Sequence, residues 1–111
     1  MDVTKIVIKK DKYRKARGGK SKLFDITCPD CKNHICYYQK DGPGLLKRMY
    51  LDRIKDSKYS DLENVEFKNL PQFLCPNCNR HLGAPYIYKE EKRRSFRLFI
   101  GAVSKKIVKS S

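Results

Sequence analysis

The sequence predicts a small, mainly β domain that forms around two matching cysteine turns. Short β-branched or alternating runs flank both turns, and helical spacing of apolar residues stands out only near 45–55. With 111 residues, the chain is long enough for one domain but buries a limited core. We therefore expect an antiparallel sheet that needs a further stabilising element.

The predicted elements divide the chain into three parts. These parts are an N-terminal strand and basic loop (1–22), a β domain (23–104) and a basic tail (105–111). The runs that predict strands are 5–10, 23–27, 34–40, 84–89 and 94–103, and residues 73–74 lead into the second cysteine turn. Gly101 predicts a bulge or a close backbone approach in the last strand. Leu46, Tyr50 and Ile54 follow helical spacing, which favours a short helix near 45–55 over a strand.

Two cysteine turns carry the strongest chemical signal, Cys28-Pro29-Asp30-Cys31 and Cys75-Pro76-Asn77-Cys78. Two such turns supply four thiolates in a tetrahedron, which suits Zn²⁺. A redox pair is the alternative interpretation, but it needs one reactive pair at the start of a helix, whereas both pairs here lie on predicted hairpins. The sequence thus predicts one structural zinc ion, bound by Cys28, Cys31, Cys75 and Cys78.

Three further residues are candidate ligands near the turns: His34, Cys36 and His81. Because four cysteines already complete a closed structural site, we expect none of the three to bind the metal. Cys36 then becomes a small buried side chain on a strand. The histidines become exposed residues or hydrogen-bond partners near the site.

The segment Cys75–Tyr88, CPNCNRHLGAPYIY, resembles the second half of the β-tent zinc fold, in which Leu-Gly follows the second Cys-x-x-Cys. The resemblance extends from Cys28 to about Gly101. This group includes the Yippee family, the cereblon-type domain, Rab-exchange-factor-like zinc proteins, methionine sulfoxide reductase B and the C-terminal domain of RNA-sensing helicases. It implies a single-domain β-tent or zinc-ribbon-like antiparallel sheet.

The resemblance also allows two functions found in this group to be excluded and leaves a third open. Methionine sulfoxide reductase B uses a cysteine well after the second pair, and no cysteine follows Cys78. The cereblon-type pocket is a tryptophan cage, and this chain has no tryptophan. The RNA-sensing domains bind phosphates and RNA ends through lysines on a sheet face, a chemistry that this chain's lysines, arginines and tyrosines supply.

The net charge of +14 is concentrated at the two ends of the chain. Residues 1–22 and residues 75–111 each carry +7, whereas residues 23–74 are neutral. Ends that lie side by side would form one basic surface, which attracts nucleic acid. The alternative is a basic charge that serves only solubility. We predict binding of RNA or another single-stranded nucleic acid, with the 11–22 loop and the 92–97 segment on one face.

The predicted contacts are basic and aromatic residues near both ends. The candidate phosphate contacts are Lys12, Arg14, Lys15, Arg17, Lys20, Lys22, Lys92, Arg93, Arg94 and Arg97. The candidate stacking residues are Tyr13, Tyr37, Tyr38, Tyr86 and Tyr88, each of which could instead face the core.

Two other functions stay open. A protein-interaction or small-ligand adaptor would use the neutral middle segment. A zinc enzyme ranks last, because four cysteines leave no open coordination position. The sequence lacks an apolar export segment or a membrane-spanning run, so we expect a cytoplasmic or nuclear protein with reduced thiols.

Overall fold

Two four-stranded antiparallel sheets form the fold in the computed structural model, which describes residues 12–13, 21–42, 45–89 and 92–108. The strands are β1 (Ser21–Thr27), β2 (His34–Asp41), β3 (Arg48–Tyr50), β4 (Ile54–Lys55), β5 (Phe73–Leu74), β6 (His81–Tyr88), β7 (Arg93–Leu98) and β8 (Ser104–Val108). One sheet has the order β4-β2-β1-β8 and the other β3-β7-β6-β5. The mainly β prediction is confirmed.

Each sheet contains one hairpin that ends in a cysteine turn. The β1–β2 hairpin carries the first turn, and the β5–β6 hairpin carries the second. The strands predicted at 23–27 and 34–40 lie within β1 and β2, and the strand predicted at 84–89 overlaps β6 up to Tyr88. The strand predicted at 5–10 lies outside the described residues.

Of the short helix predicted near 45–55, only a three-residue 3₁₀ helix is present, because this segment crosses from one sheet to the other. It forms β3, a 3₁₀ turn at Leu51–Arg53, and β4. Met49, Leu51 and Ile54 are all buried. Their spacing along the chain is compatible with a crossover between two sheets as well as with a helix. The Tyr50 N–H also donates to the Tyr38 hydroxyl at 2.9 Å, which ties the crossover to β2. Tertiary contacts have overridden the helical spacing.

The C-terminal prediction also needs correction. The single strand predicted at 94–103 is interrupted, because β7 ends at Leu98 and the Ala102 N–H closes a turn onto the Phe99 carbonyl at 3.1 Å. Gly101 has a φ of 71° and permits this turn, so it marks neither a bulge nor a close approach. Most of the predicted basic tail is β8, which pairs with β1.

One apolar core joins both sheets to the long connection between β4 and β5. At its centre the Phe73 and Phe96 rings stack with centroids 4.9 Å apart, and the Tyr59 ring meets both edge-on. A buried polar network lies beside the core, where the Arg53 guanidinium is 2.9 Å from the Asp41 carboxylate. Within the described residues, no helix is long and apolar enough to cross a membrane.

Candidate metal centre

The two cysteine turns have the same backbone structure. The Lys32 N–H donates to the Cys28 carbonyl at 2.9 Å, and the Asn79 N–H donates to the Cys75 carbonyl at the same distance. Lys32 and Asn79 each follow the second cysteine of a turn, and both are left-handed, with φ of 65° and 62°. This conformation reverses the chain into the outgoing strand. One local structure is therefore built twice.

The strands that flank the turns also repeat the same pairing. In both hairpins the register shifts just before the first cysteine. The matching pairs are Thr27–His34 with Leu74–His81, and Ile26–Cys36 with Phe73–Gly83. Because the pairing register and the register shift are the same in both hairpins, the two cysteine pairs have the same orientation relative to their strands. The prediction of two related turns around one site agrees with this repetition.

The four cysteine sulfurs form one cluster, with all four atoms within 4.8 Å of one another. The Cys28 and Cys78 sulfurs are 3.7 Å apart, and the Cys31 and Cys75 sulfurs are 3.6 Å apart. A disulfide would bring two sulfurs to about 2.05 Å. A tetrahedron with Zn–S bonds of about 2.3 Å has edges of about 3.8 Å. The cluster could thus hold one metal ion, and its spacing suits zinc.

The surroundings of the cluster shift the pKa values of two of its thiols in opposite directions. A hydrogen bond from the Asn77 side chain, with a second from the backbone of Asn33, lowers the pKa of the Cys31 thiol to about 6. A backbone hydrogen bond from Arg80 lowers the pKa of Cys78, but lost hydration and the nearby thiols outweigh it and raise that pKa to about 12. Four thiols this close resist joint ionisation, which a divalent cation relieves.

Two contacts from outside the ligand set hold the turns in place. The Tyr59 hydroxyl donates to the Leu74 carbonyl at 2.9 Å and accepts from the Leu74 N–H at 3.0 Å, just before Cys75. The Asp30 carboxylate is 2.7 Å from the Arg80 guanidinium, which links one turn to the other. The sequence alone did not indicate either contact, because both partners lie far apart along the chain.

The three other candidate ligands lie outside the cluster. Cys36 is fully buried on β2, and burial raises its pKa, as expected for an inert core thiol. The His34 Nδ1 atom is 2.6 Å from the Asp25 carboxylate. The His81 Nε2 atom is 2.9 Å from the Gln72 side-chain oxygen.

The first group of predicted phosphate contacts is described only in part. Outside the described residues lie Arg14, Lys15, Arg17 and Lys20. Lys12 and Lys22 are exposed. The Tyr13 ring centroid lies 4.0 Å from the guanidinium carbon of Arg93. Tyr13 thus contacts Arg93, which belongs to the second group of predicted phosphate contacts, at 92–97.

Two residues of that second segment have structural partners within the fold. Arg93 is only 6% exposed, and its guanidinium is 2.7 Å from the Asp52 carboxylate. Arg94 donates to the carbonyls of Glu63 and Val65, which holds the β4–β5 connection against β7. Lys92 and Arg97 are exposed, as the prediction requires.

The predicted stacking tyrosines also separate into two kinds. Tyr38 is 2% exposed and belongs to the core, which corrects its predicted role. Tyr37 packs its ring against His34, with centroids 4.6 Å apart. Tyr86 and Tyr88 are half-buried, and the guanidinium carbon of Arg48 lies 5.7 Å and 4.5 Å from their ring centroids. These two tyrosines keep an exposed portion on the second sheet.

Sequence reasoning missed Arg48 and Tyr50 as surface candidates. In β3 they flank the fully buried Met49, so both lie on the face of the sheet opposite the core. The alternation Arg48-Met49-Tyr50 carried this signal, but the helical spacing of neighbouring apolar residues obscured it.

The chain matches no protein-family model, no curated protein and no solved structure. The cysteine cluster and the two sheets define it as a small β protein with a four-cysteine site that could hold one zinc ion.

Proposed function

We propose that this chain is a zinc-stabilised β module that binds single-stranded nucleic acid, with RNA favoured. Four thiolates complete a tetrahedral set, so the zinc in this proposal is structural and leaves no position for a substrate. The metal holds the two hairpins together, and the binding surface lies on the second sheet.

One observation carries the proposal: Arg48 and Arg97 lie directly opposite each other on β3 and β7. Like charges at opposed positions of an antiparallel pair destabilise a sheet. A phosphate group bound between them would remove that repulsion and gain two charge-assisted hydrogen bonds. An opposed arginine pair is therefore better explained by an anionic ligand than by stability.

Tyrosine rings beside this arginine pair favour nucleic acid over a simple anion. The guanidinium carbon of Arg97 is 5.8 Å from the Tyr86 ring centroid, and Arg48 lies near the rings of both Tyr86 and Tyr88. Unpaired bases stack on tyrosine rings and on guanidinium planes, while the cations neutralise the backbone. The β-tent resemblance supports the same class of ligand, since its RNA-sensing members bind phosphates on a sheet face.

The acids of the middle segment leave the opposed arginine pair unneutralised. Three of these acids pair with other cations: Asp41 lies by Arg53, Asp52 by Arg93 and Asp30 by Arg80. Arg48 and Arg97 have no ion-pair partner within the described part of the chain. The positive charge of this arginine pair therefore stays available to an anionic ligand.

Fluorescence anisotropy with a labelled single-stranded RNA, a single-stranded DNA and a duplex DNA tests the proposal. We expect affinity for the single strands to fall between about 50 mM and about 200 mM salt. The double variant Arg48→Gln/Arg97→Gln should bind more weakly and lower the magnitude of the salt slope by about 0.7 per arginine. Its matched control is Lys58→Gln/Lys68→Gln, which removes the same charge from the β4–β5 connection. Equal binding by both double variants would contradict the proposal.

A protein-interaction adaptor is the second candidate, and one surface favours it. Leu45 is 76% exposed, and Phe99 and Ile100 are exposed on the β7–β8 turn. Contiguous exposed apolar side chains are typical of protein contacts. Binding to a partner through this surface would persist at high salt, which separates it from phosphate binding.

A further inference from the structure

A cavity of about 500 Å³ opens beside the opposed arginine pair, between β2 of one sheet and β3 and β6 of the other. Its volume falls in the range of small-molecule sites. Its lining includes the side chains of Tyr38, Lys40, Lys47, Arg48, Tyr50 and Tyr88. It adjoins the proposed binding face because Arg48 and Tyr88 belong to both.

The charges that line this cavity are unbalanced. Lys40, Lys47 and Arg48 all contribute to the lining. Asp41 is the one carboxylate among the described lining residues, and its oxygens are bonded to the side chains of Arg53 at 2.9 Å and Gln39 at 2.8 Å. These bonds commit Asp41 to the fold, so its charge does little to offset the cations.

Two of these cations, Lys40 and Arg48, are also held in place before any ligand arrives. The Lys40 ammonium donates to the Gly42 carbonyl at 3.1 Å, which keeps it at the wall of the cavity. The guanidinium carbon of Arg48 lies 4.5 Å from the Tyr88 ring centroid. Preorganised donors lower the entropy cost of binding an anion.

Aromatic surface forms the other part of the lining. The Tyr50 and Tyr88 ring centroids are 6.2 Å apart, with a tilt of 54° between the rings. Tyr38 supports this wall from behind, because its hydroxyl accepts the Tyr50 N–H. A flat ligand placed against Tyr88 and Arg48 would find a stacking surface that is already formed.

The geometry points to a subsite for one unpaired nucleotide in this cavity. The base stacks against Tyr88 and the Arg48 guanidinium, and the phosphate contacts the ammonium groups of Lys40 and Lys47. A base paired in a duplex cannot enter, so the subsite selects single strands or a nucleotide turned out of the stack. This inference rests on the proposed function and deepens it by naming the unit that is bound.

Titrations of the zinc-loaded protein with mononucleotides test the subsite directly. The probes are AMP and UMP, with ribose 5-phosphate and inorganic phosphate as comparisons. Backbone amide NMR shifts report the location, and we expect them to cluster at residues 38–50 and around Tyr88. Without the base, ribose 5-phosphate should bind at least about fivefold more weakly, since stacking contributes roughly 1–3 kcal/mol per base.

Three variants separate stacking from charge. Tyr88→Leu should weaken AMP binding at least about fivefold, whereas Tyr88→Phe should retain it, because the ring does the stacking. Lys40→Gln should weaken AMP and inorganic phosphate alike. Phe67→Leu, which changes an exposed aromatic side chain on the β4–β5 connection, is the matched control for the tyrosine and Lys58→Gln for the lysine. Both controls should bind as the unmodified protein does. Zinc content and circular dichroism establish that each variant folds.

The outcomes distinguish the subsite from the proposed function. Tight binding of oligonucleotides that Tyr88→Leu and Lys40→Gln leave unchanged would overturn the subsite and leave the proposed function standing. Equal affinity for AMP and inorganic phosphate would also overturn it. Binding of AMP in the cavity, with oligonucleotides bound no more tightly, would support the subsite and contradict the proposed function.

Discussion

Asp30 and Arg80 lie 2.7 Å apart, carboxylate Oδ1 to guanidinium Nη1, and join the two cysteine turns beside the four-cysteine cluster. Asp30 stands between the first two cysteines, and Arg80 follows the last one. The pair therefore links the two hairpins independently of the metal. Both side chains remain accessible, so its contribution is that of a surface ion pair.

For this pair we predict a small effect on stability. Asp30→Asn should lower the free energy of unfolding by less than about 1 kcal/mol, because solvent screens an exposed ion pair. Urea titrations at low and high salt measure the loss, which should shrink at high salt. Glu66→Gln, in the exposed Glu66–Lys68 pair, is the control. A loss of bound metal in Asp30→Asn would contradict the prediction.

The metal site should govern folding. We expect one zinc ion per chain, and chelation should abolish cooperative thermal unfolding, because structural zinc contributes on the order of 10 kcal/mol in small domains. Elemental analysis and circular dichroism measure the two effects. Cys28→Ser and Cys75→Ser should each lose the metal.

Cys36→Ala is the matched control for those two variants. It removes a fully buried thiol outside the cluster and should cost about 1 kcal/mol while it retains the zinc. Cooperative unfolding of the metal-free chain, or a metal loss in Cys36→Ala, would show that the site has been assigned incorrectly.

The buried Asp41–Arg53 pair predicts a loss of stability in acid. Burial alone would raise the pKa of Asp41, but hydrogen bonds from Ser21, Gln39 and Arg53 outweigh it and hold that pKa below its ordinary value. The pair therefore stabilises the fold above the unfolded pKa of about 3.9, and this stabilisation is lost as the pH falls through the lower folded pKa.

Asp41→Asn tests this assignment. It leaves the fully buried Arg53 guanidinium without its nearest carboxylate, which should cost about 3 kcal/mol at neutral pH. The stability of the variant should also vary less with pH below about 4 than that of the unmodified protein. Denaturant titrations across the acid range measure both. An unchanged acid profile would show that other carboxylates control the acid loss.

Two glycines should respond differently to substitution. A Cβ at Gly83 would lie 2.5 Å from the Arg97 carbonyl oxygen, a backbone atom that cannot turn away. Gly83→Ala should therefore cost about 1–3 kcal/mol. Gly101 has open space around it but a left-handed backbone, so Gly101→Asn should be tolerated better than Gly101→Val. Thermal melts compare the three variants, and a neutral Gly83→Ala would contradict the close approach of β6 and β7.

The sequence by itself predicted the four-cysteine cluster and the fold class. The Cys-Pro-x-Cys spacing is local, so a turn of four residues directs each pair of sulfurs whatever the rest of the chain does. The strands beside the turns were also predictable, because alternation of apolar and polar residues and β-branched side chains are typical of strands. The expectation that Cys36 lies in the core is confirmed, because its side chain is fully buried on β2.

Only the tertiary structure decided which basic residues face solvent and which support the fold. Arg93 and Arg97 lie four positions apart on one strand, yet the first contacts Asp52 in the interior and the second is exposed beside Arg48. Their neighbours Asp52 and Arg48 both belong to the segment 48–53, which crosses from one sheet to the other. The helical spacing of apolar residues in this segment did not indicate the crossing. Long-range packing chooses among local conformations that differ little in energy, and no local pattern records that choice.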